Sequence, residues 1–433
     1  PLRHLRLLLG SSTQDGPGEL PLKRMLVTEM DLPTLDLNDA SLKGDRWHEV
    51  MNGLLDDGNW LAQSPLAVVV LGREAGEFFL RTKSATFPGL LLADIFQITD
   101  GPLREQIDHN IINVNGAAHS RLRSLVNPSL TPKAANSWRP VMRGFLEELW
   151  DGLGDADEFD FIESFARPYP SLTISRVMGA PREDAGRLHE WSEWIQRQFD
   201  PIALSDPETL AGIQERVAEF YAWVRPMIEA RRSSPSDDLI SSLIQAEEEG
   251  EKLSDVELEN LVLNILVGGV DTTQNQLAQA MRLLSNQQEQ WQALRAAPDT
   301  LVPRAVLEAL RFEPITPITA RQLSEEVEFE GVTFPAGTVL AVCSFTGNRD
   351  PEVFEAAREF NIVTERPKAR LMTFGAGTHY CVGANLAKAE LEEGLRFFAE
   401  RIELLEPAGE PDLQTVSGIY GIDSLPLRIR RAG

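Results

Sequence analysis

The chain has 433 residues, 42% of them hydrophobic, 25% charged and 7% aromatic, a balance that suits a globular protein and excludes collagen, coiled-coil rods and wholesale disorder. With 66 acidic against 41 basic side chains the net charge is −25, which argues against a general affinity for nucleic acid or for an anionic membrane. Two cysteines, Cys343 and Cys381, build neither a disulfide framework nor a CxxC zinc or redox site, so a reducing, cytoplasmic setting is expected.

From the N-terminus, PLRHLRLLLG carries cations but neither a long apolar core nor a small-residue cleavage site, and is expected to be a soluble arm. The apolar stretches LAVVVLG from Leu66 and LVLNILVGGV from Leu261 fall short of the ~20 residues that span a bilayer. No fixed-period repeat or low-complexity block divides the chain, so residues 1–433 are expected to form one domain, with 1–50 as an N-terminal arm. Between Asn115 and Glu313 the text has helical periodicity: LRSLVNPSLTP, NSWRPVMRGFLEELWDGL, REDAGRLHEWSEWIQRQF, PETLAGIQERVAEFYAWVRPMIEARR and SDDLISSLIQAEEEG, punctuated by Pro- and Gly-containing breaks. Strand-like text gathers after Arg321, in VEFEGVTF, GTVLAVCSF and LPLRIRR, with Pro335 to Gly337 expected as a hairpin-like turn. The predicted fold is mainly α, a large helical region with a small β-sheet region.

Three stretches conflict with plain packing. In LVLNILVGGVDTTQNQLAQAM, from Leu261 to Met281, the Gly268-Gly269 pair costs a helix ~1 kcal/mol per glycine relative to alanine. Glycines there let something flat or diatomic approach the backbone, and the Thr272 hydroxyl is spaced to back-bond to the Gly268 carbonyl and open the helix. Glu308 and Arg311, in LEALRFEP, are spaced i, i+3 and can pair on one helical face. In FGAGTHYCVGANLAKAE, from Phe374 to Glu390, Gly375, Gly377 and Gly383 surround Cys381, and a helix is expected to start at the cysteine, its dipole and the loop amides favouring thiolate. A lone thiolate suits one metal already held by another ligand set, and haem iron is the outstanding candidate. Cys343, inside an apolar strand run, reads as a small buried hydrophobe.

The cysteine stretch is similar to the signature FGxGxHxCxGxxLAxxE of bacterial cytochromes P450, the haem-thiolate monooxygenases. It agrees at Phe374, Gly375, Gly377, His379, Cys381, Gly383, Leu386, Ala387 and Glu390. The glycine-interrupted helix resembles that family's (A/G)GxDTT oxygen-activation motif, and Glu308 with Arg311 its ExxR helix. The resemblance runs from about residue 60 to the end and implies the cytochrome P450 fold. It implies haem b with Cys381 as axial ligand, and Asp271 and Thr272 as the acid–alcohol pair that relays protons beside Gly268. His119, Arg123, Arg321 and His379 would face the haem propionates, and Phe374, Gly375, Gly377 and Gly383 would line the haem. For the third partner of Glu308 the family pattern would put Glu359 at its usual arginine position, so the adjacent Arg358 is the expected substitute.

The same resemblance implies a substrate pocket lined by Leu90 and Phe96 in FPGLLLADIFQI, by Leu266 and Val267, by Ile318 and Thr319, and by Ile419 and Tyr420. These are mostly apolar, which favours a neutral hydrophobic molecule such as a terpenoid, steroid-like or aromatic compound. The expected activity is insertion of one atom of O2 into that substrate by a monomeric, cytoplasmic enzyme. No flavin or iron–sulfur segment is evident, so electrons are expected from a ferredoxin and its NAD(P)H-dependent reductase. Such a partner would dock on Arg121, Arg366, Lys368 and Arg370 near the cysteine loop. Three alternatives remain: a non-catalytic haem protein acting as gas sensor or electron carrier, a haem-thiolate peroxygenase, and a fungal-type nitric oxide reductase. The retained Asp271-Thr272 pair argues against the second.

Overall fold

A computed structural model describes residues 25–249 and 253–433. The expectation for PLRHLRLLLG, and most of that for the arm, lies outside the described residues. Helices carry most of the fold, and the strands form small sheets. The largest sheet has five strands in the order Leu61–Gln63, Val68–Val70, Val339–Cys343, Ile318–Leu323, Ala85–Thr86. Only the pair Val68–Val70 with Val339–Cys343 is parallel. The run LAVVVLG thus supplies a strand buried on both faces, which is why it is apolar without alternation.

The tight hairpin lies one turn earlier than expected. Val327–Phe329 and Val332–Phe334 pair antiparallel around Glu330 and Gly331, both with positive φ (49° and 76°), the conformation a two-residue hairpin turn requires. Pro335 to Gly337 instead hands the chain from this sheet to the five-stranded one, closed by Thr338 N–H donating to the Pro335 carbonyl at 3.1 Å.

The apolar run from Leu261 lies in the helix Asp255–Gly269, which starts at a capping box. The Ser254 hydroxyl accepts from Glu257 N–H at 3.2 Å, and the Glu257 carboxylate accepts from Ser254 N–H at 2.9 Å. At Val270 the backbone departs from ideal helix (ψ −72°), and a second helix, Asp271–Ser285, continues. Leu261, Val262, Leu263 and Leu266 are buried in the main core, against helices that include Pro168–Met178 and Ala185–Gln196.

The helix Pro298–Phe312 carries the buried pair Glu308 and Arg311, 2% and 1% exposed. Arg311 grips both Glu308 oxygens at 2.8 Å and donates to the carbonyls of Ala357 (2.7 Å) and Glu359 (2.7 Å). The third partner is Arg366, which donates to the same carboxylate from Nη2 (2.9 Å) and Nε (3.2 Å). Arg358, expected in that role, points outward to Asp56 at the surface. The meander folds so that the Ala357 and Glu359 carbonyls face Arg311, and the cation that reaches Glu308 comes from further along the chain. Burial raises the Glu308 carboxyl, but the two guanidiniums outweigh it and hold it below its ordinary value.

Candidate functional site

The cysteine loop is built around two glycines in left-handed backbone, Gly375 (φ 67°) and Gly377 (φ 68°). A Cβ on Gly377 would lie 2.7 Å from the Leu80 carbonyl oxygen and 3.0 Å from Arg81 Cα, so only glycine lets the loop lie against that backbone. Gly377 is therefore a packing residue and not part of the cavity wall, whereas Phe374, Gly375 and Gly383 do line it. Cys381 N–H donates to the Phe374 carbonyl at 2.9 Å. The following helix, Ala384–Arg401, starts three residues after the cysteine and not at it, with Gly383 as its N-cap. Burial pushes the Cys381 thiol up; the N–H groups of Gly383 and Ala384 and the charges of Arg123 and Lys388 pull it down without prevailing. The amides alone thus do not make the thiolate, whereas coordination to a metal cation deprotonates a thiol outright.

Cys381 lines a cavity of about 550 Å³. Gly268 and Thr272 line it as well, and the Thr272 hydroxyl donates to the Gly268 carbonyl at 2.6 Å, the back-bond that the spacing predicts. The two glycines differ in what they allow. A Cβ on Gly268 meets nothing within 4 Å, so Gly268 opens a face to the cavity, while a Cβ on Gly269 would come 2.4 Å from Ile174 Cδ1. Asp271 is not among the lining residues. Asn275 Nδ2 donates to its carboxylate at 3.1 Å, and burial, then the charge of Glu193, push Asp271 up to about 7.

Four cationic or titratable groups converge on one side of the cavity. Arg321 is buried, its Nε has no partner, and burial alone pushes it down to about 10. The rings of His119 and His379 lie 4.2 Å apart, and His379 Nε2 meets Asn115 Oδ1 at 3.0 Å. Burial, then His119, Arg321 and Arg123, push His379 down to about 4. Arg123 Nη1 donates to the Tyr380 carbonyl at 2.9 Å. Arg321 Nη1 donates to the Ala320 carbonyl at 2.8 Å, which leaves its charge uncompensated, and mutual repulsion around such a buried guanidinium is what an anionic group would relieve. A sulfur ligand on the cavity floor, a helix face open at Gly268, and this cluster together suit haem, with its iron and its two propionates. Among the described residues no group of three or more His, Cys, Asp and Glu side chains could hold a metal ion.

Of the residues expected on the substrate wall, Val267, Ile318, Thr319 and Ile419 line the cavity. Leu90, Phe96, Leu266 and Tyr420 do not. Leu90 is 46% exposed on the outer face of the helix Gly89–Ile95, and its neighbours Leu91 and Leu92 turn inward instead. Phe96 ends that helix and packs on the main core, and Leu266 is buried in the same core. Tyr420 is buried in the smaller cluster of Trp47 and Phe345, its hydroxyl accepting from Gly44 N–H at 2.8 Å. Residues that sequence reasoning passed over include Gln106, Asn110, Ile111, Asn264 and Ile265, which also line the cavity. Leu66, Ile95 and Ile112 are exposed and line it too, and so form its rim.

Two of the expected docking cations are committed elsewhere: Arg121 pairs with Glu257, and Arg366 with Glu308. Lys368 and Arg370 are exposed, and the Arg370 guanidinium lies 4.4 Å from the centre of the Tyr380 ring. Among the described residues no helix is long and apolar enough to cross a membrane.

The chain matches the Cytochrome P450 family model over residues 66–417. It is similar to the luteothin monooxygenase of Streptomyces thioluteus, 34% identical over 403 residues that cover 93% of this chain and 97% of the other. It is also similar to the polyketide biosynthesis cytochrome P450 PksS of Bacillus subtilis (strain 168), 32% identical over 321 residues, covering 72% and 76%. The crystal structure of CalO2 superposes with a TM-score of 0.85 at 25% identity, covering 93% of this chain and 100% of that one. With the thiol, the opened helix and the cation cluster meeting in one cavity, and with matches of this extent, the chain belongs to the cytochrome P450 family and is a monooxygenase of that family.

Proposed function

We propose that this monooxygenase holds haem b through Cys381 and inserts one atom of O2 into a neutral, largely apolar small molecule, with electrons from a ferredoxin and an NAD(P)H-dependent ferredoxin reductase in the cytoplasm, the chain acting as one cytochrome P450 domain. The observation that carries the reading is a single cavity lined at once by Cys381, by Gly268 and Thr272, and by His119, Arg123, Arg321 and His379. Haem bound there supplies the reductive activation of dioxygen that a thiolate ligand favours. The four basic residues take the propionates. The Thr272 hydroxyl, held at the cavity wall by the Gly268 carbonyl, is the group placed to present a proton to the space above Cys381. Asp271, pushed up to about 7, can both give and take a proton near neutrality and resupplies it from behind Thr272.

The wall residues Phe87, Leu91, Ile111, Ile265, Val267 and Ile419 exclude water and favour an apolar ligand. The relatives' names, one for luteothin and one for polyketide biosynthesis, support neutral biosynthetic intermediates of that kind as the substrate class. The opening of the helix between Gly268 and Thr272 weighs against an electron carrier, which would not need it, and the Asp271-Thr272 pair weighs against a peroxygenase. Cys381→His tests the reading. The ferrous-carbonyl complex of the native chain is expected to show the red-shifted Soret band of thiolate ligation, and the variant to lack it. A band that survives the substitution overturns the ligand assignment.

A further inference from the structure

Three large apolar side chains line the cavity and yet face solvent: Leu66, 57% exposed, Ile95, 54%, and Ile112, 36%. They come from separate parts of the fold. Leu66 stands in the turn between the strands Leu61–Gln63 and Val68–Val70, Ile95 is the last residue of the helix Gly89–Ile95, and Ile112 follows the helix Gly101–His109. Pro65 beside the first and Asp94 beside the second are exposed without lining the cavity, so the cavity wall meets the outer surface at this level. The backbone under each is pinned. Ser64 N–H donates to the Ala67 carbonyl at 2.9 Å across the turn, Phe96 N–H to the Leu92 carbonyl at 3.0 Å at the end of the helix, and Ile112 N–H to Asn110 Oδ1 at 3.0 Å. Fixed backbone that holds three apolar side chains out of the core leaves apolar surface in water, which is unfavourable until something covers it.

The continuity of the wall says what the cover is. The same cavity has to hold the haem at Cys381 and the substrate above it, so only part of its 550 Å³ is left for the substrate. A substrate that fills that part extends toward the rim. Among the described residues, the charged side chains that line the cavity are His119, Arg123, Arg321, His379 and Glu390, and none of them is exposed. Charge is thus kept to the inner end, and the rim offers a carboxylate or an ammonium no partner. The group that fits there is neutral and apolar. The net charge of −25 argues against an anionic membrane as the occupant.

We propose that Leu66, Ile95 and Ile112 form an outer subsite that holds the distal, apolar end of an elongated substrate whose other end lies over Cys381. The subsite deepens the monooxygenase reading and rests on it. It makes the preferred substrate a long, neutral molecule that reaches from the haem to the mouth of the cavity, and sets it apart from a compact terpenoid or a single aromatic ring that the inner cavity encloses.

A series of 1-alkylimidazoles from butyl to dodecyl tests this, titrated into the haem-loaded ferric enzyme and followed by the shift of the Soret band. The ring nitrogen anchors each probe at the iron, so chain length sets how far it reaches toward the mouth. In the wild type, affinity is expected to rise with length through the whole series. Leu66→Ser, Ile95→Ser and Ile112→Ser together are expected to leave the butyl compound within about twofold of the wild type and to weaken the decyl and dodecyl compounds roughly tenfold or more. Leu90→Ser is the control. Leu90 is 46% exposed on the same helix as Ile95 but does not line the cavity, and its change is expected to leave every length at the wild-type value. Equal weakening of all lengths, no weakening of the long ones, or the same loss in Leu90→Ser overturns the subsite. So does wild-type binding to phosphatidylcholine vesicles that the triple change abolishes while the length dependence stays, which gives the rim to a lipid surface. The ferrous-carbonyl band of the same preparations separates the two levels: with the thiolate band intact, an unaltered length dependence in the triple variant removes the subsite alone, and without that band the monooxygenase reading falls first.

Discussion

Asp271 shows how the surroundings of one side chain set its ionisation. Burial first, and the charge of Glu193 second, raise its carboxyl to about 7, against the pull of the Asn275 side chain and of Arg197. Because the folded value lies above that of an unfolded aspartate, the native state binds more protons between about pH 4 and pH 7. Stability from this residue is thus complete below that window, declines as pH rises through it, and is level above about 7. Asp271→Asn stays neutral throughout. It is expected to match the wild type at pH 4 and to exceed it above pH 7 by roughly 1–3 kcal/mol in denaturant unfolding. The same substitution is expected to slow substrate-dependent O2 consumption roughly 10²-fold and to remove an apparent pKa near 7 from the kcat profile. A profile that keeps that inflection takes Asp271 out of the proton path. The proposed acid was named from the sequence by the resemblance of this segment to the (A/G)GxDTT motif, beside a glycine pair that a helix interior avoids. Gln106 and Asn110 of the cavity wall were not, because the burial of an amide depends on which way a short helix is rotated, and REQIDHN fits a solvated helix equally well.

Between elements, the long-range tie that the helix Pro298–Phe312 makes to the segment before the cysteine loop runs through one carboxylate. Glu308 is held by Arg311 on its own helix and by Arg366, whose side chain is 13% exposed, from 58 residues further on. Removing one cation from a buried pair leaves charge that the interior does not solvate, whereas an exposed pair contributes little. Arg366→Ala is therefore expected to lower stability by about 2–4 kcal/mol and to promote haem loss, both read from thermal unfolding followed at the Soret band. Arg358→Ala, which breaks only the exposed contact with Asp56, is expected to cost ~0–1 kcal/mol. Equal costs would remove Arg366 from the triad. The i, i+3 spacing of Glu308 and Arg311 was readable from the sequence, since helical geometry dictates it. The third member was not, since a meander without periodicity gives no rule for which of two nearby arginines turns inward. The same limit explains the cavity wall: in LLLADIF the helix exposes Leu90 and turns Leu91 and Leu92 inward, a rotation set by the core beneath it.

Over the whole molecule, a net charge of −25 means that the proposed partner, an acidic ferredoxin, would approach an enzyme that repels it at long range. Productive docking then needs a local positive face near Cys381, because electron transfer has to reach the group held there. The supply is smaller than the sequence suggested, since Arg121 is engaged by Glu257 and Arg366 by Glu308. Lys368 and Arg370 are exposed in the segment leading into the cysteine loop, and Arg370 rests on the ring of Tyr380, whose carbonyl accepts from Arg123. These two cations are thus the ones placed to steer the partner. Lys368→Glu and Arg370→Gln together are expected to slow ferredoxin-supported turnover roughly tenfold at low ionic strength. The deficit should shrink as salt screens both the lost attraction and the general repulsion over about 10 Å. Turnover driven by added hydrogen peroxide needs no partner and is expected to be unchanged. Arg121→Glu, by contrast, places a second carboxylate beside Glu257, and is expected to lower unfolding temperature along with both activities. If the Lys368 and Arg370 changes also depress the peroxide-driven rate, they have damaged the cysteine loop, and the docking face lies elsewhere on the molecule.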